Sequence, residues 1–307
     1  MLEVAVTGAS GFVGGHVLAR LEGLGHRPLA VVRRPLGLPR EQVVGALENA
    51  RSVSIAPVDA MIHLAARTHV MKESASDPLA AYRAINVEGT RNALRMASSA
   101  GCRHFVFLSS VKAMGEETAP GRPFTEESVP APEDAYGVSK LEAEDLVRSH
   151  CEASGMAWTI VRPPLVYGPG VKANFQALAR LSRSGLPLPF GSTDNRRSLV
   201  YVGNLADFLV FALEREEARN RLFVIDDGEP MSTGGMLAAM AATQGSKPRL
   251  FAFPPRIARS AAASVGKAGI YRRLFGSLEV DSSAARSAGW SPPFTADEGF
   301  SRTLAPA

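Results

Sequence analysis

The sequence predicts an α/β protein, a doubly wound parallel sheet joined to a smaller mixed C-terminal region. Three observations predict it. Strand-length apolar runs alternate with helix-length amphipathic patterns from residue 2 to about residue 226. A glycine turn, Gly8, Gly11 and Gly14, sits between the first run and the first helix. Small or hydroxyl residues follow the apolar runs at 65–66 and 109–110, where such sheets bind ligands.

Leu2 to Val6 reads as a buried strand, and Phe12, Val13, Val17, Leu18, Leu21 and Leu24 mark the helix after the turn. Strand, glycine turn and helix aim backbone N–H groups and a positive helix end at a pyrophosphate. Gly8 allows the sharp turn, Gly11 lets phosphates approach, and Gly14 lets helix and strand pack closely. The spacing is G-x-x-G-x-x-G rather than G-x-G-x-x-G.

Pro28–Val32 is the second strand. It ends in Arg33-Arg34 with no carboxylate. A carboxylate there accepts from a ribose 2′-OH, whereas positive charge suits a 2′-phosphate. The pair therefore favours NADP(H), leaves NAD(H) open, and otherwise reads as ordinary loop arginines. Residues 36–57 carry weak signals. Ala60–Leu64 is the next strand, and Ala65-Ala66 leave room for a flat ligand. His63 reads as a satisfied core histidine. Asp77-Pro78 opens a helix to about Ala100, with Asp77 as N-cap and Pro78 in the first turn. Asn86 sits inside it, where asparagine is mildly unfavourable.

His104–Leu108 is a buried strand with Ser109-Ser110 at its carboxyl end. A loop over 115–134 precedes a helix from Asp134 to about Ala153. Tyr136 and Lys140 are four apart and share one face of it. An ammonium beside a phenol lowers the phenol's pKa, and such a pair moves protons to and from a carbonyl or alcohol oxygen. Strand Trp158–Arg162, helix Asn174–Arg183, strand Arg196–Val202, helix Gly203–Glu214 and strand Leu222–Ile225 follow. Beyond them the chain reads as helical and basic to Gly289–Pro293, and 256–275 as an amphipathic helix, packed on the domain in preference to lying on a membrane. The dinucleotide-binding domain is expected over 1–164 plus about 196–226, and the substrate-binding region over about 165–195 and 227–307.

The 307 residues are 46% hydrophobic, enough for a sizeable core, and carry a net charge of +4 with a pI near 9.3. Basic residues are scattered, so paired arginines point to small anionic ligands and not to nucleic acid. No apolar run reaches membrane-spanning length, and the N-terminus lacks a leader pattern. Cys102 and Cys151 are too few for a disulfide framework, and the cytoplasm is the expected compartment. No Cys/His cluster has metal-ligand spacing.

With these pieces in order, the chain resembles the extended short-chain dehydrogenase/reductase family, in its nucleotide-sugar branch. The resemblance rests on Thr7-Gly8-x-x-Gly11-x-x-Gly14, His63-Leu64-Ala65-Ala66, Asn86-Val87-x-Gly89-Thr90, Leu108-Ser109-Ser110, Tyr136-Gly137-x-Ser139-Lys140, Arg162-Pro163, Tyr167-Gly168-Pro169-Gly170 and Arg197-Ser198-Leu199-Val200-Tyr201-Val202. It implies a Rossmann-type domain. It makes Tyr136 the acid/base, Lys140 the residue that holds the nicotinamide ribose and lowers the tyrosine pKa, and Ser110 the hydrogen bond to the reacting sugar oxygen. Thr7, Gly8, Gly11, Phe12, Val13, Gly14, Leu64, Ala65, Ala66, Asn86 and Pro163 would meet the cofactor, with Lys140. Ser109 and Lys112 would meet the sugar, Arg197 a substrate phosphate, and Asn174 the nucleotide base. A homodimer through 77–100 and 134–153 is a further implication.

The chain departs from the family at Met114-Gly115, where many members carry Tyr-Gly, and at Val44-Gly45-Ala46-Leu47, where alanine replaces the aspartate of an adenine-contact motif. The motifs are shared by 4-ketosugar reductases, which consume NADPH, and 4-epimerases, which keep NAD bound. Arg33-Arg34 and the Ser109–Lys112 loop favour reduction of a nucleotide-linked 4-keto-6-deoxy sugar, with 4-epimerisation as the alternative. A 4,6-dehydratase would carry Asp-Glu where Val111-Lys112 stand. A non-catalytic cofactor sensor of the same fold is a remoter reading, because such chains lose the tyrosine or lysine.

Overall fold

In a computed structural model, described for residues 1–68, 76–119, 121–171, 174–254, 264 and 268–305, seven strands form one parallel sheet. They are β1 (Glu3–Thr7), β2 (Arg27–Val32), β3 (Glu41–Val43), β4 (Ala60–His63), β5 (His104–Leu108), β6 (Ala157–Arg162) and, later in the chain, β10 (Arg221–Val224). Their order is β10-β6-β5-β4-β1-β2-β3. The chain leaves β1 toward β2 and β3, then returns to β4 on the other side. The order thus reverses between β1 and β4, which opens the crevice where such sheets bind ligands.

The pleat sorts each strand between two layers. Val4 and Val6 of β1, Ile62 of β4 and Val106 of β5 pack on one side with Val17 and Leu21 of α1 (Phe12–Gly23) and with Leu205, Phe208 and Leu209 of a later helix, Val202–Glu214. Ala5, Met61, Phe105 and Phe107, one residue out of phase, pack on the other side. There they meet Ala93, Leu94 and Ala97 of α3 (Gly89–Ser99), and Ala143 and Val147 of α4 (Ala135–Ser154). Burial on both faces explains why the strands read as continuous apolar runs.

The expected helix over 77–100 is present with one modification. Asp77 caps α2 (Pro78–Arg83) by accepting from the Ala80 amide at 3.0 Å, and Pro78 sits in its first turn. A π turn, Ala84–Glu88, then widens the helix before α3. Strand β3 was not legible. It follows β2 after an eight-residue link, 33–40, that contains no helix. The Glu41 carboxylate closes this link by accepting from the amides of Leu36, Gly37 and Leu38, which holds its pKa below the usual carboxylate range. A groove of about 490 Å³ runs along α1 beside Leu36, Leu38 and Arg40.

Apart from the helix Val202–Glu214 on the sheet face, most of the remainder forms short elements outside the main sheet. β7 (Leu165–Tyr167) pairs with β9 (Leu199–Tyr201), and β8 (Pro187–Leu188) pairs with β11 (Arg249–Leu250). The expected strand 196–202 is therefore shorter and lies outside the main sheet. Helices α5 (Asn174–Ser182), α6 (Val202–Glu214), α7 (Thr233–Thr243), α8 (Ala268–Phe275), α9 (Ser283–Ser287) and α10 (Ala296–Leu304) complete the chain. α10 lies beyond Pro293, and a Thr295–Glu298 capping box starts it. Of the amphipathic stretch 256–275, the described part is residue 264 and α8. Phe275 of α8 packs its ring 5.2 Å from Phe190, against the fold. No helix among the described residues is long and apolar enough to cross a membrane.

Candidate active site

The glycine turn closes on the β4 loop across the crevice. Gly8 has φ +71°, and a Cβ there would lie 2.7 Å from the Ala65 nitrogen. A Cβ on Gly14 would lie 2.7 Å from both Ala9 C and Cα. Side chains at these two positions would push α1 and the β4 loop off the turn. Gly11 is different. It is exposed and is the N-cap of α1, and no side chain caps that helix. Helices α2, α4, α7 and α10 all begin with a side-chain cap. The first-turn amides of α1, from Phe12 and Val13, are left for an anion. Their side chains pack sideways on the cluster around Tyr167 and Phe175. The residues thus fit a pyrophosphate at the turn and a flat ring beside the half-buried Ala65 and Ala66. Leu64 packs into the core next to them.

Two expected cofactor contacts turn inward instead. The Thr7 hydroxyl is fully buried and lies 2.6 Å from His63 Nδ1. Thr90 gives its proton to the Asn86 carbonyl, so it accepts from His63 Nε2, and Thr7 donates to Nδ1. His63 is therefore a satisfied neutral core histidine, its pKa pushed down to about 3 by burial and then by Lys140. Asn86, in the π turn, accepts from the Arg67 amide at 2.7 Å and donates to the Arg67 carbonyl and to Ser139 Oγ. All its polar atoms are used in tying the loop after β4 to α4, so it latches the site without facing the crevice.

At the end of β5 the two serines point opposite ways. Ser109, expected to meet the sugar, is buried and donates to Glu144 at 2.5 Å. Ser110 faces the crevice and hydrogen-bonds the Tyr136 phenol. It also accepts from the Lys112 amide. The contact is made because α4 starts against this turn. Asp134 caps α4 through the Gly137 amide at 2.7 Å, and a Cβ on Gly137 would run into the Lys112 carbonyl. The Lys112 ammonium, expected on the sugar, is tied to Glu116 and Asp134 and braces the same turn. Pro163 is buried, and its carbonyl accepts from the Val111 amide.

Tyr136 is half-buried, with the Tyr82 ring 5.9 Å away. Burial pushes its phenol up to about 12, against the Ser110 hydrogen bond, so the phenol keeps its proton at neutral pH. The Lys140 ammonium does not meet the phenol as expected. It donates to the Leu108 carbonyl at 2.6 Å and lies 4.1 Å from the Phe107 ring centroid. Burial brings its pKa down to about 7, opposed by Glu144.

Arg197 lies beyond the sheet, half-buried, donating to the Gly276 carbonyl. Burial lowers its pKa, while Glu117 and Glu116 raise it. Asn174 opens α5, and its side chain lies outside the described residues. Arg33 and Arg34 are exposed at the end of β2, without a hydrogen bond or ion pair among the described residues. No group of His, Cys, Asp and Glu suited to a metal occurs among the described residues. Glu144 belongs to the site as well, though no sequence motif included it, and so does Arg162, which the Arg162-Pro163 motif contained without a role. The available signal was the spacing 136, 140, 144 on one helix face.

Residues 4–226 match the NAD dependent epimerase/dehydratase family. A protein of Vibrio cholerae named UDP-glucose 4-epimerase is 42% identical over 245 residues, 79% of this chain and 75% of its own length. The GDP-6-deoxy-D-mannose reductase of Pseudomonas aeruginosa is 34% identical over 207 residues, 66% of this chain and 65% of that protein. The UDP-glucose 4-epimerase of Thermus thermophilus, solved with NAD, shares the fold with a TM-score of 0.75 at 24% identity, over 98% of this chain and 97% of that one. A match running from β1 past the end of β10 makes this chain a member of the NAD dependent epimerase/dehydratase family, an enzyme of the extended short-chain dehydrogenase/reductase kind that uses a nicotinamide dinucleotide.

Proposed function

We propose that the protein reduces the 4-keto group of a nucleotide-linked 6-deoxy sugar with NADPH. The observation that carries this reading is the Ser110–Tyr136 pair at the end of β5, with a phenol that burial keeps protonated. A protonated phenol is the proton donor that ketone reduction needs. Gly8, Gly11 and the α1 amides would hold the dinucleotide, which would supply the hydride. Ser110 holds the carbonyl oxygen, and Tyr136 gives its proton to it, leaving a secondary alcohol. The phenolate is reprotonated from water. Lys140 fixes the end of β5 through the Leu108 carbonyl. Arg33 and Arg34, unpaired among the described residues, support a 2′-phosphate, and hence NADPH over NADH. Arg197 is the group offered to the substrate diphosphate. Similarity to a GDP-6-deoxy-sugar reductase supports the same chemistry.

A second reading, 4-epimerisation with retained NAD, is favoured by the 42% identity to a UDP-glucose 4-epimerase. It uses the same residues but needs Tyr136 to accept a proton first. Purified protein mixed with NADPH and a 4-keto-6-deoxy nucleotide sugar separates the two. Stoichiometric loss of absorbance by the reduced cofactor supports reduction. Copurifying NAD, no consumption and interconversion of C4 epimers supports epimerisation. The two-domain division expected from the sequence, the homodimer through the helices over 77–100 and 134–153 and a cytoplasmic location belong to the same proposal. Light scattering of the purified protein tests the dimer.

A further inference from the structure

Lys140 is 2% exposed, and one carbonyl and one ring face are not enough to hold an ammonium inside a fold. One turn further along the same inward face of α4 stands Glu144, with no exposure at all. Both its oxygens are occupied. Oε1 accepts from Ser109 Oγ at 2.5 Å and from Arg162 Nε at 2.9 Å. Oε2 accepts from Arg162 at 2.6 Å and from Arg148 at 3.3 Å. The end of β5, the middle of α4 and the end of β6 therefore meet on one carboxylate.

We propose that Glu144 is the positioning residue of this site: it anchors Ser109 so that Ser110 faces Tyr136, and it keeps Lys140 charged inside the fold. Several groups face Lys140. Glu144 lies on its own helix, His63 is on β4, and Phe107 and the Leu108 carbonyl are on β5, while the Tyr136 phenol on the same helix bonds Ser110 instead. Arg162 of β6 acts through Glu144. His63 is neutral and the phenol is protonated, so they add no charge. Glu144 alone among the interacting groups raises the Lys140 pKa, which burial otherwise lowers to about 7. Without it, burial acts on the ammonium unopposed. The two serines then separate in role: Ser109 is the anchor and Ser110 the working hydroxyl.

The inference rests on reading Ser110, Tyr136 and Lys140 as the catalytic set, but its test needs no substrate. Lysine labelled with 13C at Cε is titrated by NMR in the full-length protein, and Lys140 is assigned by the signal lost in Lys140→Arg. Glu144→Gln lowers the Lys140 midpoint by about one unit or more, and Glu144→Asp restores most of the shift. Glu144→Gln strands the Arg162 guanidinium, which can unfold the chain. The double variant Glu144→Leu/Arg162→Met removes the pair together, a replacement that buried ion pairs often tolerate. Because the Arg162 charge leaves with the carboxylate, its midpoint falls in the same direction but by less. An unchanged midpoint in the folded double variant overturns the proposal. A lowered midpoint without NADPH consumption by the wild type sinks the reductase reading and leaves Glu144 in its role.

Discussion

Replacing Gly14 with alanine puts a methyl group where α1 crosses the glycine turn. The new Cβ would lie 2.7 Å from Ala9 C and Cα and would also meet the Gly8 carbonyl, all of it backbone. Ordinary contact begins at 3.4 Å and the Gly8 carbonyl is nearer than Ala9, so α1 or the turn must move by about 1 Å. Overpacking of this kind costs about 1–3 kcal/mol. The better helix propensity of alanine offsets up to about 1 kcal/mol of that. The midpoints of these two ranges leave a net loss of about 1.5 kcal/mol, which lowers Tm by roughly 2 °C in a chain of 307 residues. Because the same shift moves the α1 amides off the pyrophosphate, NADPH Kd rises by about tenfold or more. Gly15→Ala is the internal control. Its Cβ meets nothing within 4 Å, so Tm holds or rises and Kd stays within about twofold. Cofactor fluorescence titration and thermal denaturation of both variants decide the matter. A Gly14→Ala protein with wild-type Tm and Kd would refute the reading of Gly14 as a packing glycine.

Tyr136→Phe should lower turnover by about 10²–10⁴-fold while NADPH Kd stays nearly constant, since the phenol serves proton transfer; steady-state kinetics beside direct binding check it. Arg33→Ala with Arg34→Ala should weaken NADPH binding by about tenfold and leave NADH unchanged, and equal effects on both cofactors would remove the 2′-phosphate assignment. His63 titrates near 3 when folded instead of 6.5, so the unfolded chain binds a proton that the folded one refuses in that window. Its contribution is complete above pH 6.5 and is lost as the pH falls toward 3, amounting to about 2 kcal/mol by pH 5. Urea midpoints at pH 7 and 5 should therefore converge between wild type and His63→Gln, and parallel curves would count against a buried neutral histidine.

Much of this molecule could be read from local pattern. Continuous apolar runs such as His104–Leu108 identify strands buried on both faces, and Asp77-Pro78 marks a helix start, because these signals lie within a few residues of the element they specify. The same holds for the glycine turn and for Tyr136 and Lys140 on one helix face. Tertiary structure decided which way the polar groups at the strand ends turn. Ser109 and Ser110 are neighbours of the same type, yet one reaches Glu144, 35 residues away, and the other reaches Tyr136. Thr7 is claimed by His63, 56 residues on, and Asn86 by Arg67 and Ser139. A buried hydroxyl or amide must find a partner wherever the fold supplies one, and such partners are set by sheet order and helix packing. Strand β3 is not legible in the sequence for a related reason: three residues at a sheet edge carry little hydrophobic signal, and only the neighbouring β2 makes them a strand.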